Sequence, residues 1–286
     1  MAFGIKCLAA PVPTAYLASM ARILDRLTNK PLIAVIRMEG VISSAARPGG
    51  SGISDAMLAP AIERAFRMKP IAVALQINSP GGSPVQSSLI AARVRRLAEE
   101  KGLRVYAFCE DVAASGGYWL AAAADEIYVD QSSIVGSIGV ISASFGVHQL
   151  IDRWGIERRV HTAGEDKSML DPFRPEREKD VTRLKDLQGI IHTAFIDHVK
   201  ARRGTALATD RDLFTGDIFV GQQAVDTGLA DGIGHLVPMM KHKYGDKTRF
   251  AVLRPRRSLM SRFGLPGASD LLSAVEDRAH WARWGL

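Results

Sequence analysis

The sequence has few cysteines and no long uninterrupted apolar run. Cys7 and Cys109 lie far apart and without metal-ligand spacing, which argues against a disulfide framework. No stretch of about 18–20 uncharged apolar residues occurs, because Lys6, Pro11 and Arg22 interrupt the apolar N-terminus. No transmembrane segment is therefore predicted. Residues 1–30 are interpreted as an amphipathic arm, with a cleaved or anchoring signal as the alternative.

Histidine-based signatures are also missing. None of the seven histidines lies in a recognisable catalytic-triad signature, and the chain has no HExxH motif or Cys/His cluster. His192 and His198 lie in a helical pattern and are interpreted as surface or core histidines. The sequence thus predicts no metal and no organic cofactor.

The charge is unevenly distributed. The net charge is +7, and eight cations lie between positions 241 and 262 against one acidic residue, Asp246. Such a cluster is typical of a solvated tail or of peripheral contact with anionic lipid. Nucleic acid ranks last as a partner, because no nucleic-acid-binding motif accompanies the cluster.

Short apolar runs alternate with helical patterns in the first half of the chain. Runs suited to buried strands lie at 32–38, 71–77, 105–109 and 127–129. The helices predicted among them lie at 54–66, 85–97 and 115–124, and a longer one covers 181–199. This alternation predicts an α/β domain with a largely parallel sheet. Beyond residue 238 the pattern weakens, and a helical C-terminal tail is predicted there.

A serine flanked by small residues follows the third predicted strand. Ser115 lies in Ala-Ala-Ser-Gly-Gly at the predicted start of a helix. Small neighbours let a substrate approach the hydroxyl, and the free N–H groups of a helix start suit an oxyanion. The alternative is an ordinary N-cap serine. A second Gly-rich turn, Asn-Ser-Pro-Gly-Gly82, follows the second strand, and the N–H groups of Gly82 and Gly116 together form a candidate oxyanion hole.

The residues alone do not identify the base for Ser115. A lysine replaces histidine only if its pKa falls from about 10.4 towards 8, which burial beside the serine provides. Lys167 lies in a polar loop, where composition and spacing predict a solvated charge.

Four ordered motifs between residues 32 and 234 resemble the bacterial signal peptide peptidase A family. They are NSPGG (78–82), AASGGYW (113–119), VGSIGVI (135–141) and the G-x-x-K-x-x-x-x-P-F-R loop (164–174). The resemblance implies a Clp/crotonase-like fold of repeated β-β-α units with a largely parallel sheet. It also implies a serine endopeptidase that cleaves hydrophobic peptide segments such as signal-peptide remnants.

The resemblance assigns roles residue by residue. Ser115 matches the nucleophile, Lys167 the general base, and Ser137 a serine that orients the lysine amine. Gly82 and Gly116 match the oxyanion donors. The neighbouring Asp166 would oppose a basic Lys167 if it faced the amine, so we expect it to point away.

Three alternatives stay open at this point. A Clp-type Ser-His-Asp peptidase would carry a histidine about 25 residues after the serine, and no histidine lies there. A crotonase-like acyl-CoA enzyme would use the same oxyanion geometry without needing Ser115 and Lys167. A non-catalytic scaffold of the same fold would have no use for the retained Ser115, Lys167 and Ser137.

The predicted organisation has three parts: residues 1–30 as the arm, 31–237 as the peptidase domain and 238–286 as a basic extension. By resemblance, the partners are peptide substrates and further copies of the chain in a ring, an octamer, in which a neighbour supplies the lysine. A cytoplasmic location is expected. Tryptophans beside cations, in a predicted helix at 270–284, favour peripheral contact with the inner membrane.

Overall fold

A largely parallel sheet forms the centre of this computed structural model, which describes residues 30–44, 52–164, 166–255, 278, 281, 282 and 284. The described strands are β1 (Leu32–Glu39), β2 (Ala72–Ser79), β3 (Arg104–Ala114), β4 (Glu126–Val129), β5 (Ile134–Gly136), β6 (Ile218–Val220), β7 (Gly232–Ile233) and β8 (Arg249–Leu253). They lie in the order β6-β5-β3-β2-β1-β8, and β4 pairs with β3 and β7. Only the pair β5–β6 is antiparallel. The predicted α/β class with a largely parallel sheet is confirmed.

Helices cover both faces of the sheet. The described helices are α1 (Asp55–Arg67), α2 (Pro84–Lys101), α3 (Gly116–Ala121), α4 (His148–Arg153), α5 (Glu178–Arg203), α6 (Gln222–Asp226) and α7 (Leu236–Tyr244). The larger hydrophobic cluster joins one face of the sheet to α1, α2, α3 and α5. The smaller cluster packs the other face against Met240 of α7. Because both faces are covered, β1 and β2 each begin with a continuous apolar run, LIAVI and AVAL.

Local signals in the sequence explain where the first helices begin and end. Ser54 accepts a hydrogen bond from Met57 N at 3.4 Å and caps α1. α2 ends at Gly102, whose φ of 60° is the left-handed conformation that glycine adopts without strain. Both helices therefore lie close to their predicted limits.

β3 is divided between two neighbours, and this division positions the candidate serine. Its first half pairs with β4 and its second half with β5, while β2 runs beside both halves. The register with β2 shifts between Ile77 and Ser79, so β3 has extra residues there. β3 therefore extends to Ala114, five residues beyond its predicted end at Cys109, and carries Ser115 to the carboxyl edge of the sheet.

The region after residue 237 differs from the expected extension. It contributes α7 and the edge strand β8, which pairs in parallel with β1 from Leu32 to Ile36. A five-residue strand is too short to show a clear alternation of apolar and polar residues in the sequence. The predicted arm at 1–30, apart from residue 30, and most of the predicted helix at 270–284 lie outside the described residues. No helix in the described part is long and apolar enough to cross a bilayer.

Residues 141–177, here called the excursion, leave the sheet after β5 and return at α5. None of the described residues in the excursion is buried. Polar contacts nevertheless hold its shape: Asp180 of α5 accepts hydrogen bonds from Arg177 and from Leu170 N, and Arg158 pairs with Asp171 at 3.3 Å. The excursion is thus a shaped segment without a core of its own.

Candidate active site

Ser115 lies at a sharp turn between β3 and α3. Its φ of 52° and ψ of −121° are unusual for a residue with a side chain. Its N–H donates to Gly136 O at 2.8 Å, and its carbonyl accepts from Tyr118 N and Trp119 N. The half-buried side chain makes no capping hydrogen bond. Ser115 is therefore not an ordinary N-cap serine, because its hydroxyl does not bind the N–H groups at the start of α3.

The two glycine motifs pack backbone against backbone beside Ser115. A Cβ added to Gly81 would lie 2.8 Å from both Ala114 O and Gly116 N. One added to Gly116 would lie 2.5 Å from Ser87 Oγ, and one added to Gly82 would lie 2.1 Å from Ile42 O. Gly81 and Gly82 accept glycine alone, because their φ is positive and the atoms in the way are backbone, whereas a side chain at Gly116 would have to displace Ser87 Oγ. The predicted meeting of the Asn-Ser-Pro-Gly-Gly turn and the serine turn is observed.

Backbone donors are available at this junction. The loop that contains Ile42 binds this glycine turn through two hydrogen bonds, from Ile42 N to Gly81 O at 2.8 Å and from Ser83 N to Ile42 O at 2.7 Å. Neither bond uses the Gly82 N–H. Within the described residues, neither Gly82 N–H nor Gly116 N–H donates a hydrogen bond to the protein. Buried or half-buried N–H groups are usually paired, so two free donors beside a free hydroxyl suit the binding of an oxyanion.

Ser137 occupies the equivalent position on the neighbouring strand. Ala114 and Gly136 are partners in the β3–β5 register, so Ser115 and Ser137 each follow the last residue of adjacent parallel strands. Ser137 also has a positive φ, 49°, and its N–H donates to Asp217 O at 2.7 Å. Its hydroxyl makes no hydrogen bond within the described part of the chain. The two serines therefore stand side by side at the sheet edge.

Lys167 lies elsewhere, in the excursion. It is exposed, and its Nζ makes no hydrogen bond or ion pair with any residue that the structure describes. A single chain thus leaves the amine in water, unbonded to Ser115. Asp166, expected to point away from the amine, binds Lys179 instead, with Nζ and Oδ1 2.8 Å apart.

Apolar side chains in the excursion and on α5 face water in the single chain. Trp154 is 76% exposed and Phe145 is 87% exposed. The other large apolar side chains exposed in these two segments are Ile141, Leu150, Ile156, Phe173, Leu187, Ile190 and Ile191. These two segments therefore hold nine of the large apolar side chains that the single chain leaves exposed.

Two histidines that the sequence left unassigned contact the elements of this site. His192 Nε2 lies 3.0 Å from Ile138 O, directly after Ser137. His198 Nε2 lies 3.0 Å from Trp119 O, in the helix that Ser115 precedes. Burial lowers the pKa of His198. Neither ring bonds Ser115, and no other histidine among the described residues does so. The sequence gives no sign of these contacts beyond the six-residue spacing of the two histidines on one helix.

Other reactive groups near the site are held inert by burial. Burial raises the pKa of the Cys109 thiol to about 12, so this thiol is not a nucleophile at neutral pH. It likewise raises the pKa of Tyr118, whose hydroxyl donates to Leu229 O at 2.8 Å. Within the described ranges no group of three or more His, Cys, Asp or Glu is arranged to hold a metal ion. Among these groups, Ser115 keeps an uncapped hydroxyl and stays the candidate nucleophile.

Comparisons with known proteins place the serine turn in a recognised family region. The sequence model described as Peptidase family S49 matches residues 98–244, which include Ser115, Ser137 and Lys167 but not Gly82. The protein named putative protease slr0021, from Synechocystis sp., is 30% identical over 73% of this chain and 72% of its own length.

Two further matches are partial. A protein of Brucella melitensis biotype 1 named Na(+)/H(+) antiporter NhaA is 46% identical over 89% of this chain; the chain spans 37% of that protein's length. A mutant of the 1510-N membrane-bound stomatin-specific protease superposes with a TM-score of 0.49 and 14% identity, over 80% of this chain and 99% of that one.

Proposed function

The chain belongs to peptidase family S49, and from that membership we propose that it is a serine endopeptidase with Ser115 as nucleophile and Lys167 as general base. The observation that carries the proposal is the strained, uncapped Ser115 near two glycine N–H groups that have no partner among the described residues. Strain of this kind persists where the fold holds a reactive group in place.

The proposed reaction is acyl transfer. The neutral lysine amine removes the proton from Ser115 Oγ as the oxygen attacks a peptide carbonyl carbon. The N–H groups of Gly82 and Gly116 stabilise the oxyanion of the tetrahedral intermediate. The protonated lysine then gives its proton to the leaving amine as the C–N bond breaks. Water, deprotonated by the same amine, hydrolyses the acyl-enzyme and restores Ser115.

Ser137 completes the proposed machinery as the residue that orients the amine. Its free hydroxyl accepts a hydrogen bond from Nζ, which leaves the nitrogen lone pair of the neutral amine directed at the neighbouring Ser115. The side-by-side register of the two serines supports this role.

The proposed substrates are extended, apolar peptide segments such as signal-peptide remnants. Residues 139–146 follow Ser137 in an open conformation, and none of their backbone groups makes a hydrogen bond within the described chain. An extended peptide pairs with such a segment through its main chain. The exposed side chains of Ile141 and Phe145 offer apolar contacts to a peptide of that kind.

The proposed working unit is a ring, an octamer by family resemblance, in which a neighbouring chain covers the excursion. An exposed amine is a poor base, because water favours its charged form. Packing of the excursion against a second copy would remove that water and bury Trp154 together with Lys167. Exposed apolar side chains flanking the lysine on both sides support this arrangement.

A weaker proposal is peripheral contact with anionic membranes on the cytoplasmic side. Lys243 of the basic cluster is already bound to Glu126 at 2.8 Å, so the remaining cations would carry the contact. We expect flotation with acidic liposomes at low salt and release at high salt. The absence of flotation at low salt would refute this contact.

Two experiments test the peptidase. A fluorophosphonate probe should label the wild type and fail to label Ser115→Ala, while Ser88→Ala, at an exposed position on α2, keeps full labelling. Peptide hydrolysis should fall roughly 10³-fold or more in Ser115→Ala and in Lys167→Ala, and the double variant should be no worse, because the two residues act as a unit. Lys185→Ala is the matched control for an exposed lysine. Substantial activity in either single variant would refute the dyad.

A further inference from the structure

Helix α5 contacts both elements of the proposed active site through histidine rings. The ring of His192 binds the carbonyl of Ile138, the residue directly after Ser137. Six residues later on the same helix, the ring of His198 binds the carbonyl of Trp119 in α3. One rigid helix therefore connects the loop that bears Ser137 to the helix that Ser115 precedes.

The two contacts define the tautomer of each ring. A carbonyl oxygen only accepts hydrogen bonds, so each Nε2 must carry a proton and donate it. This donation persists whether or not Nδ1 is protonated. The lone pair on Nε2 is absent in both states, so neither histidine can take the serine proton through that atom.

His198 is also fixed by stacking. Its ring lies 5.3 Å from the Trp119 ring at 19°, and Trp119 in turn stacks on Phe195 at 4.6 Å. The same Trp119 donates its N–H to Ser115 O at 3.0 Å. Two hydrogen bonds to the backbone of Trp119 thus connect His198 to the carbonyl of the proposed nucleophile.

The carbonyl that His198 binds has no other donor. Tyr118 O and Leu120 O accept from Ala122 N and Ala123 N, and this pattern leaves Trp119 O without a backbone partner among the described residues. Arg202 of α5 donates to Ala122 O and Ala124 O just beyond. Side chains of α5 therefore complete the end of α3, a helix too short to hold its own direction.

We propose that His192 and His198 are positioning residues, which hold Ser137 and the Ser115–Gly116 turn in the geometry that acyl transfer requires. This inference rests on the proposed peptidase function. Its physical basis is that misplacement of a reacting group by about 1 Å costs up to roughly 10²-fold in rate. Neither histidine touches substrate, so each acts through the peptide that it binds.

The test compares glutamine with methionine at each position. Glutamine supplies an N–H at nearly the reach of Nε2, whereas methionine fills similar space without a donor. We expect His192→Met and His198→Met to lower kcat roughly 10- to 100-fold with little change in KM, and the glutamine variants to recover most of that loss. Thr193→Val, which removes a hydrogen bond inside the same helix, is the control.

Hydrogen exchange, measured in a Ser115→Ala background, reports on the contacts without activity. The methionine variants should speed exchange in the peptides that contain residues 137–140 or 116–121 and leave β1 unchanged. Unchanged exchange, or wild-type kcat in both methionine variants, would overturn the inference. If His192→Met lost as much activity as Ser115→Ala, the inference would also be overturned, because His192 would then act as a base. A wild type without peptidase activity that shows the predicted exchange would refute the proposed function and support the positioning role.

Discussion

The serine turn and the excursion contrast within one chain. Around Ser115, the residues from Val112 to Ala124 are buried except Ser115 itself, and backbone hydrogen bonds tie the turn to two neighbouring strands. No described residue of the excursion is buried, although it carries Lys167. One chain thus holds the proposed nucleophile and the proposed oxyanion donors in place but leaves the proposed base in water. In the proposed ring, the fold would supply the first half of the site and association of chains would supply the second.

Mixing two inactive variants tests this contrast with the largest expected effect. If neighbours share a site, Ser115→Ala and Lys167→Ala should regain activity after subunit exchange. A random equal mixture leaves an intact serine facing an intact lysine in about a quarter of the interfaces of a ring. Peptide hydrolysis should therefore rise from background to about a quarter of the wild-type rate. A mixture that stays inactive despite proven exchange, or an active monomer by light scattering, would contradict a shared site.

A pair of truncations sharpens the comparison through stability. Ile36 is fully buried in β1, so Ile36→Ala should lower the free energy of unfolding by about 2–5 kcal/mol. Trp154 is 76% exposed, so Trp154→Ala should change it by less than about 0.5 kcal/mol in dissociated chains. Urea unfolding at high dilution measures both.

The assembled protein should reverse that ranking. Exposed tryptophans are frequent anchors of interfaces, so Trp154→Ala should reduce the molar mass measured by light scattering and the peptidase activity with it. Ile36→Ala should leave the mass of the folded protein unchanged. If the excursion instead belonged to the core of the single chain, Trp154→Ala would be the destabilising variant at high dilution.

The smallest expected effect concerns strain at the nucleophile. Ser115 has a backbone conformation that costs a residue with a side chain about 1–3 kcal/mol, whereas glycine adopts it freely. Ser115→Gly should therefore be inactive but more stable than Ser115→Ala, by about 1 kcal/mol in thermal unfolding. The same replacement at Ser88, in the regular helix α2, should destabilise the protein by about 1 kcal/mol. If both glycine variants melted below their alanine counterparts, the turn would not be strained.

The contrast between the serine turn and the excursion also explains which parts of the structure the sequence predicts. The strands at the centre were evident as apolar runs, and the parallel order brings the turns after β2 and β3 to one edge. The contact of Gly81 with Ser115 was therefore predictable. The position of Lys167 was not, because a polar loop without a strand partner has no register. The role of His192 and His198 depends on which carbonyls α5 meets, and no periodicity encodes that.

The pairing of β8 with β1 has a consequence for the order in which the protein is made. β1 precedes its partner on this side by more than 200 residues. Until β8 has been translated, β1 has an unpaired apolar edge, which is a template for wrong pairing. Distant parallel contacts of this kind also form slowly. This side of the sheet therefore closes only after translation has passed Leu253, and a nascent chain paused before that point keeps β1 open.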